Sequence, residues 1–141
     1  MKPRERIVFD SYALLMYLND EPGSEEVTEI LGLGKENKLF LYMNEVNLGE
    51  VFYRIGKAYG LGMAEQKISE VRALTIEWVL PDSPMILAAA RFKARYPISY
   101  ADGFSAATCL RVGGHLLTGD PEFKALEHEI DVHWLPPKKS S

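Results

Sequence analysis

The stretch IVFDSYALLMYL, residues 7–18, sets the reading of the chain. Ile7-Val8-Phe9 is a short apolar run of strand type, and Asp10-Ser11 are helix-starting residues placed directly before Ala13-Leu14-Leu15 and Leu18. A strand that ends on an acid and turns at once into a helix is the opening of a β-α unit.

The same alternation continues outward from it. Glu21-Pro22-Gly23-Ser24 reads as a turn before a helix carrying Val27, Ile30 and Leu31, with Gly32, Gly34 and Asn37 expected to end it. Leu39-Phe40-Leu41-Tyr42 predicts a second strand. From Asn44 to Tyr59 the apolar residues Leu48, Val51, Phe52, Ile55 and Tyr59 recur at helical spacing, which leaves Asn44, Asn47, Glu50 and Arg54 along a polar edge. A helix over 63–74, a strand at Ile76-Glu77-Trp78-Val79 and a helix opened by Ser83-Pro84 and closed at Tyr96-Pro97 follow. The rest reads as a helix from about Asp102 to Arg111, a strand at His115-Leu116-Leu117, a short helix from Pro121 and a strand from Asp131 to Leu135. Strands that alternate regularly with helices predict an α/β fold, a three-layer α/β/α sandwich around a parallel sheet. The expected organisation is one domain over 1–135 and a short flexible tail over 136–141, whose Lys138-Lys139 beside Pro136-Pro137 reads as a soluble end.

The composition bounds the function. A chain of 141 residues with 47% hydrophobic and 26% charged side chains is ordinary for one globular domain with its own core. Sixteen basic against twenty acidic side chains give a net charge of −4, so contact with nucleic acid has to be local or metal-mediated. The single cysteine, Cys109, excludes a disulfide or a cysteine-based zinc site within one chain and fits a reducing compartment. With no long uncharged apolar stretch, a cytoplasmic protein without a membrane span is expected. His115, His128 and His133 lack ligand spacing, no Gly-rich phosphate loop is present, and Asp10-Ser11-Tyr12 lacks the second acid that an aspartyl phosphate-transfer site needs.

Four acids are then left to explain. Asp10 and Asp102 each stand at a helix start and Asp120 precedes Pro121, so each can serve as a helix cap. Glu50 lies in mid-helix, where it is either a solvated residue or part of a site. As a set they read differently. Four carboxylates gathered beyond the carboxyl ends of parallel strands repel one another unless cations, protons or distance relieve them, and Mg²⁺ or Mn²⁺ supplies that relief with oxygen ligands.

The segments Val8-Phe9-Asp10-Ser11, Asn47-Leu48-Gly49-Glu50, Ser99-Tyr100-Ala101-Asp102 and Thr118-Gly119-Asp120-Pro121-Glu122-Phe123 carry a resemblance to the PIN-domain ribonucleases, most of all to the VapC-type toxins of toxin–antitoxin modules. The last segment is the most specific of them. The resemblance implies a central parallel sheet of five strands and an acidic pocket of Asp10, Glu50, Asp102 and Asp120. Ser11, Thr118, Asn47 and Glu122 are expected to support those carboxylates. It further implies a metal-dependent endoribonuclease that leaves a 5′-phosphate and a 3′-hydroxyl, a homodimer, and an antitoxin as possible partner. The alternative is an inactive scaffold of the same fold that binds protein or RNA. Two residues depart from the family pattern: Tyr12 stands where a small polar residue is frequent, and Gly103 where alanine is commoner.

Overall fold

A computed structural model describes residues 4–136. In chain order the elements are β1 (Glu5–Phe9), α1 (Ser11–Leu18), α2 (Ser24–Lys35), β2 (Leu39–Asn44), α3 (Glu45–Tyr59), α4 (Leu61–Arg72), β3 (Glu77–Val79), α5 (Ser83–Arg95), α6 (Tyr100–Val112), β4 (His115–Thr118), a 3₁₀ helix (Pro121–Leu126) and β5 (Asp131–Trp134). The five strands form one parallel sheet in the order β3-β2-β1-β4-β5. Lys138 and Lys139 lie outside the described residues.

Each central strand is apolar on both sides because helices cover both faces. Ile7 and Phe9 of β1 join Leu41, Met43 and Leu117 in a core with α1, α2, α3 and α4. Val8 points the other way and joins Leu116, Ala106, Cys109 and Phe92, with Phe123 and Leu126 of the 3₁₀ helix closing that layer. The expected α/β/α sandwich with five parallel strands is therefore the fold. No helix among the described residues is long and apolar enough to cross a membrane.

Two local expectations are corrected. Gly32 and Gly34 lie inside α2, which runs to Lys35, and the stop comes at Asn37, whose φ of 61° is left-handed. Asn44 is not on a polar edge. It is fully buried as the N-cap of α3, and its amide donates to Thr108 Oγ1 at 3.0 Å on α6.

The departures at Gly103 and Tyr12 have packing reasons. A Cβ on Gly103 would come within 2.6 Å of the Ala89 carbonyl oxygen, so the glycine is what lets α6 lie against the backbone of α5. A Cβ on Gly119 would fall 2.5 Å from Tyr12 Cε1, so the bulky ring at position 12 is matched by a missing side chain across the sheet edge.

Candidate metal centre

The chain lays β1, β2 and β3 outward to one side, then returns across β1 to place β4 and β5 on the other. The strand order therefore reverses between β1 and β4, and such a reversal opens a crevice beyond the carboxyl ends of the two strands. Asp10 directly follows β1 and Asp120 follows the end of β4, whose Leu117 is in register with Phe9. The helices that start at this edge, α3 and α6, bring Glu50 and Asp102 to it.

Asp10 caps α1 by accepting from the Ala13 N–H at 2.8 Å, and only 2% of the residue is exposed. Burial, with smaller pushes from the charges of Asp120 and Glu50, raises its carboxyl to about 7 against the opposing hydrogen bonds from Thr118 and Ala13. Thr118 is itself buried, and its Oγ1 accepts from the Asp120 N–H at 3.0 Å. One hydroxyl thus ties the end of β4 to the acid that ends β1.

Asp102 belongs to a capping box at the start of α6: its N–H donates to Ser99 Oγ at 3.0 Å, and its carboxylate faces the Ser99 N–H. Burial, a hydrogen bond with Glu122 and the charge of Asp120 raise its carboxyl to about 8. Asp120 caps the 3₁₀ helix by accepting from the Glu122 N–H at 3.0 Å. One carboxylate oxygen each from Asp102, Asp120 and Glu122 lies within 4.8 Å of the others, and no other such group of acids, cysteines or histidines occurs among the described residues. At that spacing two unit charges repel by roughly 3 kcal/mol at an effective dielectric of about 20. An all-oxygen, all-acidic donor set is what a hard divalent cation requires, and a bound cation removes that repulsion. The residues present fit a divalent metal ion.

Glu50 reaches the same edge but stands outside that tight group. It is buried on α3, and its Oε1 accepts from Ser11 Oγ at 2.8 Å. Its Oε2 accepts from Arg54 Nε at 3.0 Å and pairs with a terminal guanidinium nitrogen at 2.9 Å. Asn47, one turn earlier, donates its amide to the Ala101 carbonyl at 2.9 Å and so fixes the residue before Asp102. Beside the acids opens a cleft of about 440 Å³ lined by Ser11, Tyr12, Glu50, Arg54, Tyr59 and Asp120 among others.

All four expected acids thus meet at one edge, with Ser11, Thr118 and Glu122 in contact with them and Asn47 bonded to the carbonyl of Ala101, the residue before Asp102. The sequence reasoning gave Arg54 no role in the site. Its signal was available, because an acid and an arginine four residues apart on a helix face one another. The Ser99–Asp102 capping box was legible in the same way, from the spacing of three. The histidines stay apart from the site, with His128 against the Tyr96 hydroxyl at 2.9 Å and His133 against Glu26 at 2.6 Å. Cys109 is buried, which pushes its thiol far above the usual range and leaves it inert.

A parallel sheet with acids gathered at its switch point defines a class, and the sequence comparison gives that class its name. The chain matches the PIN domain over residues 7–129 and belongs to the PIN domain family, a family of nucleases. No curated protein matches the sequence. Among solved structures, VapBC2 from Rickettsia felis bound to a promoter DNA fragment superposes with a TM-score of 0.73 at 14% identity, over 93% of this chain and 99% of that one. VapBC-1 from nontypeable Haemophilus influenzae gives 0.67 at 15% identity, over 92% of this chain and 97% of that one. Mycobacterium tuberculosis VapC20, a toxin that cleaves the sarcin-ricin loop, gives 0.68 at 15% identity, over 84% and 93%. The fold is that of the VapC toxins.

Proposed function

We propose that this protein is a metal-dependent endoribonuclease that hydrolyses RNA phosphodiester bonds with Mg²⁺ or Mn²⁺, and that it acts as the toxin of a toxin–antitoxin pair. The observation that carries the reading is the meeting of Asp102, Asp120 and Glu122 within 4.8 Å beside the buried Asp10. Family membership supports the nuclease chemistry, and the fold shared with toxins crystallised in VapBC complexes supports the antitoxin partner. A homodimer in the cytoplasm completes the proposal.

Asp10, Asp102 and Asp120 would hold the metal, with Glu50 and Glu122 at its margin. When bound, such an ion acidifies the attacking water and offsets the charge that builds on the phosphate. The side chains around it keep these acids in place. Ser11 holds Glu50, Thr118 spans Asp10 and the Asp120 backbone, and Ser99 and Asn47 set the start of α6.

The test incubates the purified protein with single-stranded and structured RNAs in magnesium or manganese, beside Asp10→Asn and Asp102→Asn. Metal-dependent cutting by the wild type and its loss in both variants is the expected result. No cutting in either metal, together with no metal binding by calorimetry, would overturn the reading.

A further inference from the structure

An acidic cleft that must admit a polyanion needs a positive charge of its own. The cleft beside the metal centre carries Glu21, Glu50 and Asp120, and Arg54 is its only lysine or arginine among the described lining residues. With a net charge of −4, the protein as a whole does not make up the deficit.

Arg54 is poorly used where it sits. Its Nε and one terminal nitrogen both address the single oxygen Oε2 of Glu50, while Oε1 accepts from Ser11. The planar fork of a guanidinium matches two oxygens of one anion, so this is half of the pairing it can make. Nη1 has no hydrogen-bond partner among the described residues. The Arg54 side chain is 56% exposed and that of Glu50 10%, so Arg54 is the end of the pair that meets solvent. Glu50 therefore holds Arg54 at the cleft while leaving much of the side chain open to it. Asp102 also adds to the field that Arg54 feels.

We propose that Arg54 is a substrate-contacting residue that grips a backbone phosphate of single-stranded RNA at the mouth of the acidic centre, giving up part of its pairing with Glu50. The inference rests on the nuclease reading and adds to it the group that draws the substrate in. A phosphate offers the fork two oxygens at once and meets Nη1, which Glu50 leaves unused. Tyr59, 68% exposed on the same cleft wall, gives an adjoining base an aromatic face.

The experiment measures binding of a short fluorescein-labelled single-stranded RNA by anisotropy across a salt series, with calcium in place of magnesium, for wild type, R54Q and R54K. Manganese binding by calorimetry runs beside it. R54Q is expected to bind the RNA roughly tenfold more weakly. It should also lower the slope of log affinity against log salt by about 0.7, the value for one lost phosphate contact on a single strand. R54K should recover the slope and only part of the affinity, and manganese affinity should stay within about twofold throughout. An unchanged slope in R54Q, or a fall in manganese affinity that parallels the fall in RNA affinity, would overturn the inference while leaving the nuclease reading intact. A wild type that binds neither manganese nor RNA would remove both.

Discussion

Replacing Asp10 with asparagine tests the electrostatics of the centre without relying on catalysis. Burial raises the Asp10 carboxyl from 3.8 to about 7 in the folded chain, so the folded state holds a proton that the unfolded chain has already released. The stability this proton contributes is complete below pH 3.8 and is lost as pH rises through about 7. A gap of about three pH units at 1.36 kcal/mol each makes the loss roughly 4 kcal/mol by pH 8. Asparagine stays neutral, still accepts from the Ala13 N–H as a helix cap, and gives up about 1 kcal/mol in its bond with Thr118. In EDTA, then, Asp10→Asn should be less stable than the wild type by about 1 kcal/mol near pH 4. At pH 8 the variant should be more stable by about 3 kcal/mol, or on the order of 10 °C in melting temperature. Manganese at pH 8 should raise the wild type and leave the variant nearly unmoved. A difference between the two proteins that is the same at both pH values, or a wild type that is the more stable at pH 8 in EDTA, would refute the reasoning.

Two further substitutions probe the frame around the acids. Gly103→Ala gains up to about 1 kcal/mol of helix propensity but drives a Cβ into the Ala89 backbone, which cannot swing aside, so a net loss of about 1–2 kcal/mol in urea unfolding is expected; a stabilised variant contradicts the close approach of α5 and α6. Asn47→Ala removes the 2.9 Å bond to the Ala101 carbonyl and should cost about 1–2 kcal/mol. It should also weaken manganese binding several-fold by calorimetry, and an unaltered manganese affinity would show that Asp102 does not depend on this tie.

The β-α alternation was legible from end to end because parallel strands covered on both faces leave short apolar runs, as at 7–9 and 115–117, between helices with periodic faces. What sequence could not supply was depth. Asn44 and Asn47 look like surface polar residues on a helical wheel, yet both are buried, because α6 packs across the start of α3 and offers Thr108 and the Ala101 carbonyl as partners. Glu122 was no better marked than Ser11 or Thr118, since a charged residue one position after a proline has no distinguishing pattern of its own. It enters the centre because the 3₁₀ turn begins on Asp120 and brings its carboxylate within reach of Asp102. Arg54 was visible as a charge, but only the position of Ser11 on Glu50 shows that its pairing is half made.

The strand order also sets a schedule for synthesis. β1 has its partner β2 within some thirty residues, but its other neighbour, β4, begins at His115, over a hundred positions after β1 ends. Asp120 lies beyond that again. At about 5–20 residues per second, a ribosome spends on the order of ten seconds between the first acid of the centre and the last. Through that interval a nascent chain can pair β1 with β2 and bury Phe9, yet it holds no complete ring of carboxylates. In a protein of this topology the acids of the centre come together only when nearly all of the domain has emerged.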